Sequence, residues 1–249
     1  MLALLRPEKT VRPRPADQEG SRYVRSYLIM RLFVGALGVA LPLMLVFVDG
    51  LAFDGDPFPR DSLSAYYYSG VRELFVGTLC ATAVFLVTYK VAELSLDNTL
   101  STLAGAAALV VALFPTGRDA GDDIALTPLQ DRLGEGVVQT IHFVAAATFI
   151  VSLGVITYFF GVREGARPPR EGNRSPAFWR SYHWACAGTI AAALEWILVT
   201  MLAGWPRTSL LIGEALSVWA FGASWLAKGA EMDVLRGTAA GEAAASRPA

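Results

Sequence analysis

Six runs of mostly apolar residues, each about as long as a bilayer's hydrocarbon core is thick, punctuate this sequence at residues 26–48, 71–89, 99–114, 137–160, 181–203 and 209–227. A spanning helix needs about 20 such residues. In lipid every backbone N–H and C=O must be satisfied within the structure, which leaves helices or closed barrels. Barrel strands would alternate apolar and polar residues; these runs are continuous, so they read as helices. Composition agrees. Of 249 residues 54% are apolar and 17% charged, with a mean hydropathy of +0.43, whereas soluble domains carry about 25% charge. The expectation is an all-α polytopic bundle of six transmembrane helices over residues 26–229. Two polar tails, 1–25 and 230–249, are expected to be disordered. The first run lies behind a polar stretch and is too long for a signal-peptide core, so no signal peptide is expected.

Net charge is −1, and nothing in the balance points to nucleic acid. Cys80 and Cys186 both sit in apolar runs, which excludes a disulfide framework. The basic residues set an orientation. With Arg31 left aside inside the first helix, fifteen Lys and Arg fall in the tails and the second and fourth loops, against five in the remaining loops. The expectation is a multi-pass protein of the bacterial plasma (inner) membrane with both termini cytoplasmic. The opposite loops are acidic, with Asp49, Asp54, Asp56 and Asp61 in one and Asp119, Asp122, Asp123, Asp131 and Glu135 in another. Neither has the spacing of a calcium loop, and both read as solvated.

Tyr66, Tyr67, Tyr68, Trp179, Trp184, Trp205 and Trp225 fall near the expected interfaces, where amphipathic rings prefer to sit. Small residues mark packing faces: Gly35 and Gly38, Gly105 with Ala106 and Ala108, Gly188 with Ala191 and Ala192, and Gly213 with Ser217 and Ala220.

Ionisable groups inside the membrane cost at least a few kcal/mol and need a partner, a cavity or a function. At about 1.5 Å per residue, His142, Glu195 and Glu214 fall at similar depth below the outer surface, with Arg72 and Glu73 at its mouth. Each of the three lies on a face of small or polar residues: Gln139, His142 and Ala146; Gly188, Ala191, Ala192 and Glu195; Glu214, Ser217, Phe221, Ser224 and Lys228. The three side chains are therefore expected to line one cavity open to the outside. It reads as a proton or small-molecule site, a metal site, or a polar network that fixes helix register. His142 and His183 lie near opposite surfaces and cannot share an ion, and a catalytic zinc usually takes three protein ligands. No metal and no cofactor are expected. His183, beside Trp184, reads as an interfacial anchor. Arg31 reads as snorkelling, with Glu93 and Asp97 near enough in depth to pair.

One pattern carries a resemblance. Ser62-Leu-Ser64-Ala-Tyr-Tyr-Tyr68 is followed by Arg72-Glu73-Leu-Phe-Val-Gly77. Then come Asp97-Asn98, Ala104-Gly105, Ala112-Leu-Phe-Pro-Thr116, His142-Phe143, and Phe221-Gly-Ala-Ser-Trp-Leu-Ala-Lys-Gly229. The pattern resembles bacterial six-helix integral membrane proteins of an uncharacterised, domain-of-unknown-function group, and spans most of residues 27–229. That group is distantly similar to the superfamily of alkaline ceramidases and progestin-type receptors, which hold a Ser, an Asp and three His around zinc in seven helices. On this resemblance Ser64 matches the serine and His142 one histidine. The C-terminal histidine pair has no counterpart, because the sixth run offers Glu214, Ser217 and Ser224 instead.

Three roles remain open at this point. One is a small-molecule or lipid-headgroup site built from His142, Glu195, Glu214, Glu73, Arg72 and Ser64, serving transport, with membrane lipid as partner. Another is a lipid hydrolase using His142 and Ser64. The third is a structural or interaction protein. The charge asymmetry predicts that reporter fusions at either terminus read out in the cytoplasm. An external signal from a C-terminal fusion would break the even helix count.

Overall fold

The computed structural model describes residues 16–53, 59–88, 96–118, 124–169, 174–205 and 208–231. The elements are α1 (Ala16–Ala52), a 3-10 turn η1 (Ser64–Tyr68), α2 (Arg72–Thr88), α3 (Leu96–Leu113), a short α4 (Pro128–Leu133), α5 (Glu135–Gly165), α6 (Pro176–Ala203) and α7 (Thr208–Glu231). Among the described residues there is no strand. Leaving α4 aside, each of the long helices packs on its neighbour in the chain, and α7 closes onto α1, so the six form a ring; α5 and α7 also touch inside it. η1 packs against α2 and fills one mouth of the ring.

Four helical segments are long and apolar enough to cross a membrane: Ile29–Ala52, Glu135–Gly165, Pro176–Ala203 and Thr208–Lys228. The other two runs form shorter helices of 17 and 18 residues, α2 and α3. At 1.5 Å per residue these reach about 26 Å, a little under the roughly 30 Å of a typical hydrocarbon core. α1 reaches back to Ala16, inside the stretch expected to be tail. The expected C-terminal tail beyond Glu231, together with Glu93, Asp54, Asp56, Asp119, Asp122 and Asp123, lies outside the described residues.

The seams are built from close backbone approach. A Cβ on Gly222 would stand 2.8 Å from the Gly35 carbonyl oxygen, and one on Gly105 2.7 Å from that of Ala83. Small residues thus join α1 to α7 and α3 to α2, as expected where helices cannot rely on the hydrophobic effect. Ser101 adds a hydrogen bond to the Leu86 carbonyl, 2.7 Å. The outer surface is apolar, with Val84, Val144, Leu198 and Leu202 exposed, as a lipid-facing surface should be.

Three expectations need correction. Tyr66, Tyr67 and Trp225 are buried, not belted at an interface: the tyrosines belong to the plug η1, and Trp225 lies inside the ring. The Gly188, Ala191 and Ala192 face of α6 is exposed, and nothing lies within 4 Å of a Cβ built on Gly188. The helix instead turns Ile190, Ala193 and Thr200 inward. Finally, Asp49 is not a solvated loop residue. It is buried and accepts a hydrogen bond from Arg60 Nε at 3.0 Å.

These seams predict a sharp contrast. Gly222→Leu should destabilise the protein in detergent by about 1–3 kcal/mol through overpacking, seen as a lowered thermal midpoint. Gly188→Leu should leave the midpoint unchanged.

Candidate functional site

The site forms where η1 enters the ring. Inside η1 the chain turns on its own polar groups: Ala65 N–H donates to Ser62 Oγ at 3.0 Å, and Ser69 Oγ donates to the Tyr66 carbonyl at 2.8 Å. Two outside contacts hold it in place. The Glu214 carboxylate of α7 accepts the backbone N–H of Leu63. On the other flank Tyr68 Oη donates to the Thr116 carbonyl, 2.6 Å, and accepts from Gln130 Nε2, 2.7 Å. Burial pushes the Tyr68 phenol pKa up, so the proton it donates is retained. Gln130 is itself fixed by the capping box that opens α4, in which Thr127 and Gln130 bond each other's side chain and backbone.

This placement brings Ser64 onto α5. His142 Nδ1 lies 2.6 Å from the Phe114 carbonyl and Nε2 lies 2.9 Å from Ser64 Oγ. A carbonyl only accepts, so Nδ1 carries a proton. In the neutral ring Nε2 is then an acceptor, and the Ser64 hydroxyl donates to it. The imidazole is buried, and an oriented Ser–His pair results.

Two cavities meet at these residues. A polar vestibule of about 410 Å³ lies between η1, the α3–α4 connection, α5, α6 and α7; Ser64, Arg118, Gln139, Thr200, Trp205 and Glu214 are among its walls. Beyond it, inside the ring, lies an apolar cavity of about 60 Å³, bounded by Phe75, Thr78, Thr82, Phe149 and Phe221. Ser64 and Glu214 line both. Among the described residues no Lys, Arg or His forms an ion pair with Glu214. The vestibule's Arg118 is taken up by Glu135: its Nε and Nη2 reach the two carboxylate oxygens, each at 3.1 Å, and Nη1 donates to the Ile124 carbonyl.

The structure therefore brings together Ser64, His142 and Glu214. It does not bring in Glu195, Glu73 or Arg72. Glu195 is exposed on α6, two positions and so about 200° around the helix from buried Ala193. Glu73 is exposed at the start of α2. Arg72 donates to Tyr67 Oη at 2.6 Å and lies over that ring, outside both cavities. Of the three ionisable groups expected to line one cavity, Glu214 lines both cavities, His142 is buried against Ser64 without lining either, and Glu195 lies outside them.

A second polar cluster, which the sequence reading missed, sits at the far end of the ring. Lys228 Nζ donates to Glu164 Oε1 at 2.7 Å with side-chain exposures of 3% and 2%, and Arg167 reaches the same oxygen at 2.7 Å. Arg31 is buried, its guanidinium 5.4 Å from the Phe160 ring centroid and 6.0 Å from that of Trp225, so it points into the bundle and does not snorkel. Its expected partner Glu93 lies outside the described residues. His183 is fully buried and hydrogen-bonds Ser224 Oγ at 2.7 Å; it is a helix–helix tie, not an interfacial anchor. The periodicity of α7 carried the clue: Ser217, Phe221, Ser224 and Lys228 share the buried face with Glu214. The sequence did not single out Glu164, which follows the fourth apolar run, 137–160.

Among the described residues no three His, Cys, Asp or Glu side chains converge on one point. The fold and this site define a class, an all-helical membrane protein with an internal polar–apolar partition. The chain matches no known family, no curated protein and no solved structure.

The two glutamates give a direct test of which carboxylate is integral. Glu164→Leu should cost about 3–5 kcal/mol, the usual loss on breaking a buried pair. Glu195→Leu should stay within about 0.5 kcal/mol, as surface changes do. Thermal unfolding of both variants in the same detergent reads the difference.

Proposed function

We propose that this is a six-span protein of the bacterial plasma membrane, with both termini cytoplasmic, that binds a small molecule or lipid headgroup in the vestibule on its outer side, as a step in uptake. The basic asymmetry supports the orientation, since the vestibule opens on the side poor in Lys and Arg. One observation carries the binding reading: Ser64 and Glu214 border both the polar vestibule and the apolar cavity. Binding sites are concave, mostly apolar and furnished with a few placed polar groups. A ligand entering here meets its polar anchors at the line where water gives way to hydrocarbon.

A second reading, lipid hydrolysis, rests on the Ser64–His142 contact. A nucleophile bonded to a base that a third group orients is the recognised pattern, and the Phe114 carbonyl is that third group. Acyl transfer also needs donors for the developing oxyanion. The backbone N–H of Leu63, beside Ser64, is already held by Glu214. Binding is therefore the better-supported role.

Native mass spectrometry of protein extracted directly from membranes should show a retained small molecule or lipid in the wild type. Ala65→Trp, which fills the vestibule wall, should lose it while keeping the thermal midpoint. Retention that Ala65→Trp does not change would refute the vestibule as the site. A serine-directed fluorophosphonate that labels Ser64, with no label in Ser64→Ala, would instead favour hydrolysis.

A further inference from the structure

We infer that the ligand class of this site is an ammonium cation with a short apolar substituent, an inference that rests on the binding reading above and names its chemistry. An ionised carboxylate offers about four acceptor positions. Glu214 spends one on the Leu63 backbone at the start of η1, no described cation pairs with it, and the residue lines both cavities. The vestibule's guanidinium is committed to Glu135 and a carbonyl, so it offers little to an anion.

A second, independent group points the same way. Thr200 Oγ1 is buried, the residue only 2% exposed, and among the described residues it has no hydrogen-bond partner although it lies in the vestibule wall. Helical threonines ordinarily bond a carbonyl one turn back, as Thr140, Thr148 and Thr189 do here. An orphaned buried hydroxyl is costly, and a polar group arriving with the ligand relieves it, an N–H donor among them. An ammonium group brings several N–H donors and no acceptor, which matches a carboxylate and a hydroxyl oxygen. Trp205 and Phe143 in the same wall supply aromatic faces suited to a cation.

Size sets the rest. The vestibule takes the head, while the apolar cavity of about 60 Å³ holds roughly two water-sized groups, and so a substituent of a few carbons.

Calorimetric titration of the full chain in detergent would use methylammonium, propylammonium and hexylammonium, with propanol and propionate as neutral and anionic counterparts of the propyl compound. Propylammonium should bind roughly tenfold tighter than methylammonium, as two buried CH2 groups provide, and hexylammonium should gain nothing more. Glu214→Gln should weaken propylammonium at least tenfold. Thr200→Val, which leaves the η1 contacts alone, should weaken it by a smaller factor. In nanodiscs of mixed phosphatidylethanolamine and phosphatidylglycerol, selective retention of phosphatidylethanolamine by the wild type but not by Glu214→Gln would assign the ammonium to a lipid headgroup; binding of the soluble amines alone would assign it to a free amine. Propionate or propanol binding as tightly as propylammonium, or selective retention of phosphatidylglycerol, would overturn the cation inference and leave the vestibule as a site. If no probe of any charge binds and no lipid is retained, both fall.

Discussion

The carboxylate of Glu214 holds the rest of this site in place. By accepting the N–H of Leu63, it fixes a short turn of chain in the mouth of a helix ring. A turn that short has few internal hydrogen bonds, and buried backbone donors must be satisfied. Once η1 is seated, Ser64 falls within reach of His142, and Tyr68 meets Thr116 and Gln130. The vestibule and the inner cavity then become separate spaces. Each of these contacts joins residues distant in the chain: 151 positions for Leu63 and Glu214, 78 for Ser64 and His142, 62 for Tyr68 and Gln130.

Along the ring axis polarity runs in layers. Glu214, Ser64 and His142 occupy one end, an apolar middle is packed with Phe149, Leu153 and Phe221, and Lys228, Glu164 and His183 occupy the other. A single face of α7 contributes to all three layers, because its 3.6-residue period lines up Glu214, Ser217, Phe221, Ser224 and Lys228. The rings of Phe160 and Phe221 meet Trp225 edge-on and tilted, with centroids 5.2 and 4.9 Å from its own. With the Phe160 ring centroid 5.3 Å from Lys228 Nζ, the buried ion pair with Glu164 lies in surroundings of low polarity, where a charge-assisted hydrogen bond is strong and its loss expensive.

The all-helical bundle was legible in the amino-acid sequence, because length and continuous hydropathy decide helix against strand in lipid. Local periodicity also found the inward faces of α5 and α7. It failed on α6. There the small residues Gly188, Ala191 and Ala192 lie beside Glu195 in the same pattern that marks an interior elsewhere, yet the helix turns Ile190, Ala193 and Thr200 inward. Small residues allow close packing without requiring it, so their spacing could not tell an occupied seam from an open one.

What the sequence by itself determined, then, is an all-helical chain of six apolar elements with ionisable groups set among them. Tertiary structure alone decided which of those groups meet. The loop tyrosines became a buried plug, His183 an inter-helix tie, and Lys228 the partner of Glu164, a residue 64 positions away. Helix periodicity specifies a face, but the rotation of each helix about its axis is set by packing against neighbours distant in the chain. In this ring the close approach of Gly35 to Gly222 and of Gly105 to Ala83 helps to set it.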